Sequence, residues 1–108
     1  TQSRPQRYKS GGDGMRKVCR VDNNQTAIVA ALRQHGCSVQ HLHQLGQGVP
    51  DLLVGFEGIN YLLEVKDGAK SPSRRQLTQD EVEWHQSWEG KVWVVSSVAQ
   101  ALNVCGCG

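Results

Sequence analysis

Two acidic residues and one lysine stand where two predicted strands meet. Asp51 begins the apolar stretch DLLVGF, and Glu64 and Lys66 lie at the end of the next one, NYLLEVK. If residues 57–58 form the turn between these strands, the pairing places Asp51 directly across from Glu64. Because side chains alternate between the faces of a strand, Lys66 shares a face with Glu64. We therefore expect two carboxylates and one ammonium group in a single patch.

Such a patch has the groups needed for metal-assisted hydrolysis of a phosphodiester. Like charges facing each other across a sheet cost up to about 1 kcal/mol, and a divalent cation would offset that repulsion. Mg²⁺ prefers oxygen ligands, is typically held by one or two carboxylates, and leaves positions for water and a substrate phosphate. A lysine beside the ion can position or deprotonate the attacking water and offset charge developing on the phosphate. We interpret Asp51 and Glu64 as metal-binding and catalytic residues and Lys66 as a catalytic residue.

A simpler interpretation of the same residues is structural. Asp51 could be a turn residue after Pro50, with Glu64 and Lys66 forming a surface pair along one strand. The triplet of Glu64, Val65 and Lys66 is a weak pattern by itself. Its combination with a Pro-Asp pair across a tight hairpin favours the catalytic interpretation.

The elements that must position this patch follow from periodicity and from helix-capping residues. Strands that are apolar on both faces, like the two of the hairpin, are typical of a sheet covered by helices on each side. A capping box of Thr78 and Glu81 is expected to begin the second helix, which should carry much of the aromatic core through Trp84 and Trp88. Trp93, on the strand that follows, is also expected in the core. The predicted order is α, β, β, β, α, β, α, with elements at about 22–35, 38–43, 51–56, 60–66, 78–90, 91–96 and 98–104.

Length and composition indicate one small globular domain. The chain has 108 residues, 38% of them hydrophobic, and no stretch of about 18 to 20 consecutive apolar residues that could span a membrane. We therefore expect a soluble cytoplasmic protein without membrane contact, whose four cysteines are free thiols.

Basic residues are concentrated at the start of the chain. Residues 1–17 contain five basic residues and one acidic residue, which leaves seven basic and nine acidic residues for the rest. We predict a flexible basic N-terminal arm over 1–17 and a folded domain over 18–108. The arm either follows a phosphate backbone or is a solvated tail.

The acidic residues and the lysine of this patch, with the sequence around them, also resemble the motif of a known family. Pro50-Asp51, an apolar strand and Glu64-Val65-Lys66 resemble the PD-(D/E)XK nuclease signature, and GVPDLLVG, NYLLEVKDG and LTQDEVEWHQSW are similar to small stand-alone VRR-NUC-type nucleases of phages and bacteria. The likeness covers residues 20–104. It implies a restriction-endonuclease-like αβββαβ core, with a mixed sheet sandwiched by helices.

The resemblance also implies an activity. Such proteins cleave DNA with Mg²⁺ or Mn²⁺, so Asp51 and Glu64 would bind the metal, the Val65 carbonyl would be a further ligand, and Lys66 would assist water attack. Small members resemble Holliday junction resolvases, act as homodimers and cut branched DNA. The implied setting is the cytoplasm of a bacterium or of a phage-infected host cell.

The chain departs from the family pattern in two places. A glutamate of the first helix that faces the metal is matched here by Ala27, with Asp22 and Gln25 as candidate substitutes. A glutamine in the helix after the strand that ends in Glu64-Val65-Lys66, the ExK motif, is matched by Glu81, with Gln76 as an alternative. The substitution at Ala27 motivates a second hypothesis, in which the nuclease fold binds nucleic acid or a protein partner without cleavage.

Further candidates for contact with duplex or branched DNA flank the patch. Lys70, Arg74 and Arg75 follow the ExK strand, where a basic loop can hold phosphates, and Gln76 comes directly after them. His43, with His41, is predicted to lie on one face of the strand next to Asp51. The two histidines either line the DNA cleft or are polar residues without a role in the site. A zinc site formed by these histidines and the C-terminal cysteines has no familiar spacing and is not favoured.

Overall fold

A computed structural model describes residues 23–68 and 76–108 of the chain. The predicted order of helices and strands and the α/β class are confirmed, and a short 3₁₀ turn, His43–Leu45, is added after the first strand. None of the helices in these two segments has the length and apolar character needed to cross a membrane. The elements are α1 (Asn23–Gln34), β1 (Ser38–His41), β2 (Leu52–Phe56), β3 (Ile59–Val65), α2 (Gln79–Ser87), β4 (Trp93–Val95) and α3 (Val98–Cys105).

The four strands form one mixed sheet in the order β1-β2-β3-β4. β1 is antiparallel to β2, β2 is antiparallel to β3, and β3 is parallel to β4. The hairpin pairs Leu52 with Leu63 and Phe56 with Ile59, so the predicted register is confirmed. Its turn residues are Glu57 and Gly58, with φ angles of 51° and 83°, as a tight type I′ hairpin turn requires.

The hydrophobic core lies on one face of this sheet. Alternate residues of the hairpin point into it because side chains of a strand alternate between faces. α1 and α3 pack against each other there, and each fully buried aliphatic side chain contributes about 1.5–3 kcal/mol. The buried core residues are Ile28, Val29, Leu32, Cys37, Leu52, Val54, Leu63, Val65, Val95, Ala101 and Cys105.

α2 differs from the prediction in what it buries. The capping box is confirmed, since the Thr78 side chain accepts from the Glu81 N–H and the Glu81 side chain accepts from the Thr78 N–H. The expectation that α2 carries much of the aromatic core is wrong: none of its residues is fully buried, and Trp88, its C-cap, is 46% exposed. α2 contacts the sheet through two polar pairs, Glu81 with Lys66 and His85 with Glu64. Trp84 stacks on Trp88, with ring centroids 4.7 Å apart.

The first strand is also shorter than predicted. β1 ends at His41, and the last bond of its ladder runs from the Leu42 N–H to the Asp51 carbonyl at 2.8 Å. The chain then turns, so the placement of His43 on the same strand face as His41 is wrong. The two imidazole rings meet edge-on, with centroids 5.7 Å apart.

Three cysteines close the C-terminal end of the core as free thiols. Cys37, after α1, has its Sγ 3.3 Å from the Sγ of Cys107, and Cys105 is buried beside them. Burial first, and then the contact with Cys107, raise the pKa of Cys37 to about 12, and burial raises the pKa of Cys105 to about 11. Both thiols are therefore protonated and weakly nucleophilic at neutral pH.

The glycine-rich loop before Asp51 packs closely against α2. Gly48 has a φ angle of 85°, and a Cβ added to it would overlap the backbone carbonyl of Asp80 in the first turn of α2. Gly46 has a φ angle of 65° but no neighbour within 4 Å of an added Cβ. The absence of a side chain at Gly48 thus lets the loop that leads to Asp51 touch the start of α2.

This comparison predicts different costs for two alanine substitutions. Both Gly46→Ala and Gly48→Ala place a Cβ on a residue with a positive φ angle, a conformation that costs a non-glycine residue about 1–3 kcal/mol. Gly48→Ala must also separate the loop from Asp80, so we expect it to lower the free energy of unfolding by about 1–3 kcal/mol more. Urea denaturation of both variants measures the difference, and equal losses would contradict the close packing.

Candidate metal and phosphodiester site

Hydrogen bonds hold Asp51 to the chain on both sides of it. Its Oδ2 accepts a hydrogen bond of 2.8 Å from the Val65 N–H of β3, and its carbonyl accepts one from Leu42 next to β1. The register of β2 and β3 continues from the Leu52 and Leu63 pair to place Asp51 across from Glu64. The carboxylate therefore has a fixed position beside the end of β3.

Glu64 is a carboxyl group in the interior of the protein. The residue is 1% exposed, although its neighbours Leu63 and Val65 face the core on the other side of the sheet. Burial raises the pKa of Glu64 to about 10, and the nearby carboxyl groups of Asp51 and Glu81 contribute to the same shift. Without an additional positive charge, this group is a neutral acid near pH 7.

Lys66 is held between two carboxyl groups. Its Nζ donates to Glu81 Oε1 at 2.8 Å and lies 3.8 Å from Glu64 Oε2. Its N–H bonds the Val95 carbonyl at 2.9 Å, and its carbonyl accepts from the Asn24 side chain at 2.8 Å. Lys66 is thereby tied to β4 and α1 through its backbone and to α2 through its ammonium group.

Glu81 joins the start of α2 to this lysine. Its Oε1 accepts both from Lys66 Nζ and from the Thr78 N–H, each at 2.8 Å. Burial acts to raise the pKa of Glu81, but the hydrogen bonds from Lys66 and Thr78 outweigh it, and the pKa is lowered. The carboxylate is therefore charged, and the capping residue of the helix is also a residue of the site.

The donor set of this cluster suits a divalent cation. When ionised, Asp51, Glu64 and Glu81 carry three negative charges against the single positive charge of Lys66, which leaves two negative charges. Carboxylate oxygens are the ligands preferred by Mg²⁺ and Mn²⁺. Among residues 23–68 and 76–108, no group of three or more His, Cys, Asp or Glu side chains is already arranged to hold a metal. The chemistry and charge of the donors thus fit, while the complete ligand set requires water, backbone or substrate oxygens.

The first helix contributes a glutamine to the neighbourhood of the site. Gln25 is 6% exposed, and its Nε2 lies 3.4 Å from His41 Nδ1. Burial is the main cause that lowers the pKa of His41, and the Asp51 carboxylate opposes this shift from nearby. Ala27 is exposed. Of these two positions, Gln25 is the one that makes a side-chain contact with the strand next to Asp51.

The other predicted residues have different outcomes. The structure brings Asp51, Glu64, Lys66 and Glu81 together, whereas Gln76 is exposed before α2. His43 is partly buried, and its Nδ1 has no hydrogen-bond partner in the described segments. The remaining predictions, the arm over 1–17, Asp22, Lys70, Arg74 and Arg75, lie outside the described residues.

The sequence interpretation missed His85. Its Nε2 lies 3.9 Å from Glu64 Oε1, so it belongs to the same cluster. The available signal was its spacing of four residues from Glu81, which places both side chains on one face of a helix.

Comparison with known proteins identifies the class of fold. No protein-family model matches the chain, and no curated protein sequence matches it. A solved structure described as a "VRR_NUC domain" superposes with a TM-score of 0.55 at 26% sequence identity, over 74% of this chain and 87% of that one. The chain therefore has a nuclease fold of the VRR-NUC type, and the fold predicted from the resemblance is confirmed.

The raised pKa of Glu64 predicts how pH acts on the metal-free protein. Its ordinary value is 4.5 and its folded value is about 10, so the folded state keeps a proton that the unfolded chain loses. Stability should therefore fall as pH rises from about 4.5 towards 10. Glu64→Gln cannot lose that proton, and its stability should fall less steeply over this range.

Urea unfolding in EDTA at about pH 5, 7 and 9 measures this difference. Glu89→Gln is the matched control, because Glu89 is an exposed residue just after α2. Parallel pH profiles for wild type and Glu64→Gln would contradict the assignment of a strongly raised pKa.

Proposed function

We propose that this chain is a metal-dependent DNA endonuclease that hydrolyses phosphodiester bonds. The observation that carries the proposal is Glu64, a carboxyl group buried beside Asp51 in a nuclease fold, while the adjacent lysine is already paired with Glu81. When Glu64 is ionised, the cluster has two negative charges in excess, which one divalent cation would balance. The proposed catalytic residues are Asp51, Glu64 and Lys66.

The chemistry of each side chain indicates its proposed role. Asp51, Glu64 and the Val65 carbonyl would hold Mg²⁺ or Mn²⁺, which when bound supplies Lewis acidity and lowers the pKa of water. The hydrogen bond from the Val65 N–H fixes Asp51 for this role. Lys66, held in place by Glu81, orients the attacking water and offsets charge that develops on the phosphate.

The proposed substrate is duplex or branched DNA, and the proposed assembly is a homodimer. Contacts with phosphates are assigned to Lys70, Arg74, Arg75 and Gln76, which in the sequence lie between β3 and α2, the two elements that carry the site. His43 is a further candidate, since its ring nitrogen lacks a partner in the described segments. Gln25 is the proposed accessory residue of α1.

Cleavage assays on a labelled four-way junction and a matching linear duplex test this proposal. We expect cutting with Mg²⁺ or Mn²⁺ and none in EDTA. Asp51→Asn, Glu64→Gln and Lys66→Ala should each lower the rate by roughly 100- to 1,000-fold, because each removes a group that acts on the reacting atoms. The ratio of junction to duplex cleavage reports the preferred DNA structure.

The control is Glu89→Gln, which should cut like the wild type. Thermal unfolding of each variant separates loss of chemistry from loss of fold. Full activity in all three site variants would rule out the assigned residues.

A second candidate function is a nuclease fold that binds nucleic acid or a protein partner without cleavage. The observation that favours it is Ala27, where the family pattern has an acid, in a helix α1 without acidic residues. In that case the wild type would not cut with either metal, and any DNA binding would persist in EDTA.

A further inference from the structure

The spacing of two side chains on α2 matches the spacing of two side chains on β3. Glu81 and His85 are one helical turn apart, about 6 Å along the axis. Glu64 and Lys66 are two strand residues apart, about 6.6 Å. Glu81 contacts Lys66 at 2.8 Å, and His85 lies 3.9 Å from Glu64. The helix therefore aligns one polar side chain with each of the two residues of the ExK motif.

The two pairs, Glu81 with Lys66 and His85 with Glu64, differ in their hydrogen bonding. Glu81 and Lys66 form a direct hydrogen bond, but Glu64 Oε1 and His85 Nε2 are buried and lack a hydrogen-bond partner in the described segments. Their side chains are only 2% and 14% exposed. Buried polar atoms without partners are rare in folded proteins, so this pair requires an explanation.

The separation of the two atoms identifies what fits between them. A distance of 3.9 Å is too long for a direct hydrogen bond. A water at about 2.8 Å from both atoms would form an angle of about 90° and satisfy them together. The gap between Glu64 and His85 thus has the dimensions of a one-water bridge.

We propose that His85 is a positioning residue that holds the carboxyl group of Glu64 through one bound water. Its role in catalysis rests on the proposed nuclease function. With Oε1 held by this bridge, Oε2 stays directed towards Lys66 and is available to the cation. Removal of a residue that holds a metal ligand in place typically lowers metal affinity or activity by about 10- to 100-fold.

Titration with Mn²⁺ alone, by calorimetry or by electron paramagnetic resonance, tests the bridge without DNA. We expect His85→Ala to weaken Mn²⁺ binding by about 10- to 100-fold. His85→Gln carries an amide group of similar reach and should restore most of the affinity. Gln86→Ala, at the next and exposed position of α2, is the matched control and should bind like the wild type. If His85→Ala does not fold in EDTA, His85→Leu fills the same space without a nitrogen.

The outcomes separate this inference from the proposed function. Mn²⁺ affinity of His85→Ala within twofold of wild type, or equal losses in His85→Ala and His85→Gln, would overturn the positioning role even if the wild type cuts DNA. Lys66→Ala should lose cleavage while still binding Mn²⁺. A wild type that neither binds Mn²⁺ nor cuts DNA would overturn both proposals.

Discussion

The rest of this structure depends on the burial of the Glu64 carboxyl group beside two others. Burial and the proximity of Asp51 and Glu81 hold the pKa of Glu64 near 10, so the metal-free fold bears a cost that grows with pH. Lys66 offsets part of that cost but is shared with Glu81. An arrangement that is unfavourable for stability and complementary to a cation is typical of a binding site rather than of a structural ion pair.

The hairpin turn sets both the core and the site. Leu63 and Val65 face the core, whereas Glu64 and Lys66 take the opposite face because side chains alternate along β3. A shift of the strand register by one residue would turn Glu64 and Lys66 into the core and away from α2. The tight turn at Glu57 and Gly58 prevents that shift, since it fixes Leu52 against Leu63. The same local geometry therefore fixes both the core and the position of the acidic cluster.

Features that depend on neighbouring residues could be predicted from the sequence, and those that depend on tertiary packing could not. The hairpin register and the capping box of Thr78 with Glu81 follow from local rules and are confirmed. Whether Trp84 and Trp88 are buried depends on how α2 lies against the sheet, and periodicity alone does not show this. The position of His85 beside Glu64 likewise required the orientation of α2 relative to β3.

The charge of the cluster shows what the missing acid at position 27, where this chain has Ala27, means for binding a cation. α1 has no acidic residue, so the negative charge of the described cluster comes from β3, from Asp51 before β2, and from Glu81 of α2. Where the family pattern has an acid in the first helix and a glutamine in the second, this chain has a neutral residue in the first and an acid in the second. Glu81 thus restores the number of carboxylates from the other side of the sheet. Because the cluster has two negative charges in excess when Glu64 is ionised, the neutral residue at position 27 does not by itself remove the electrostatic basis for binding a divalent cation.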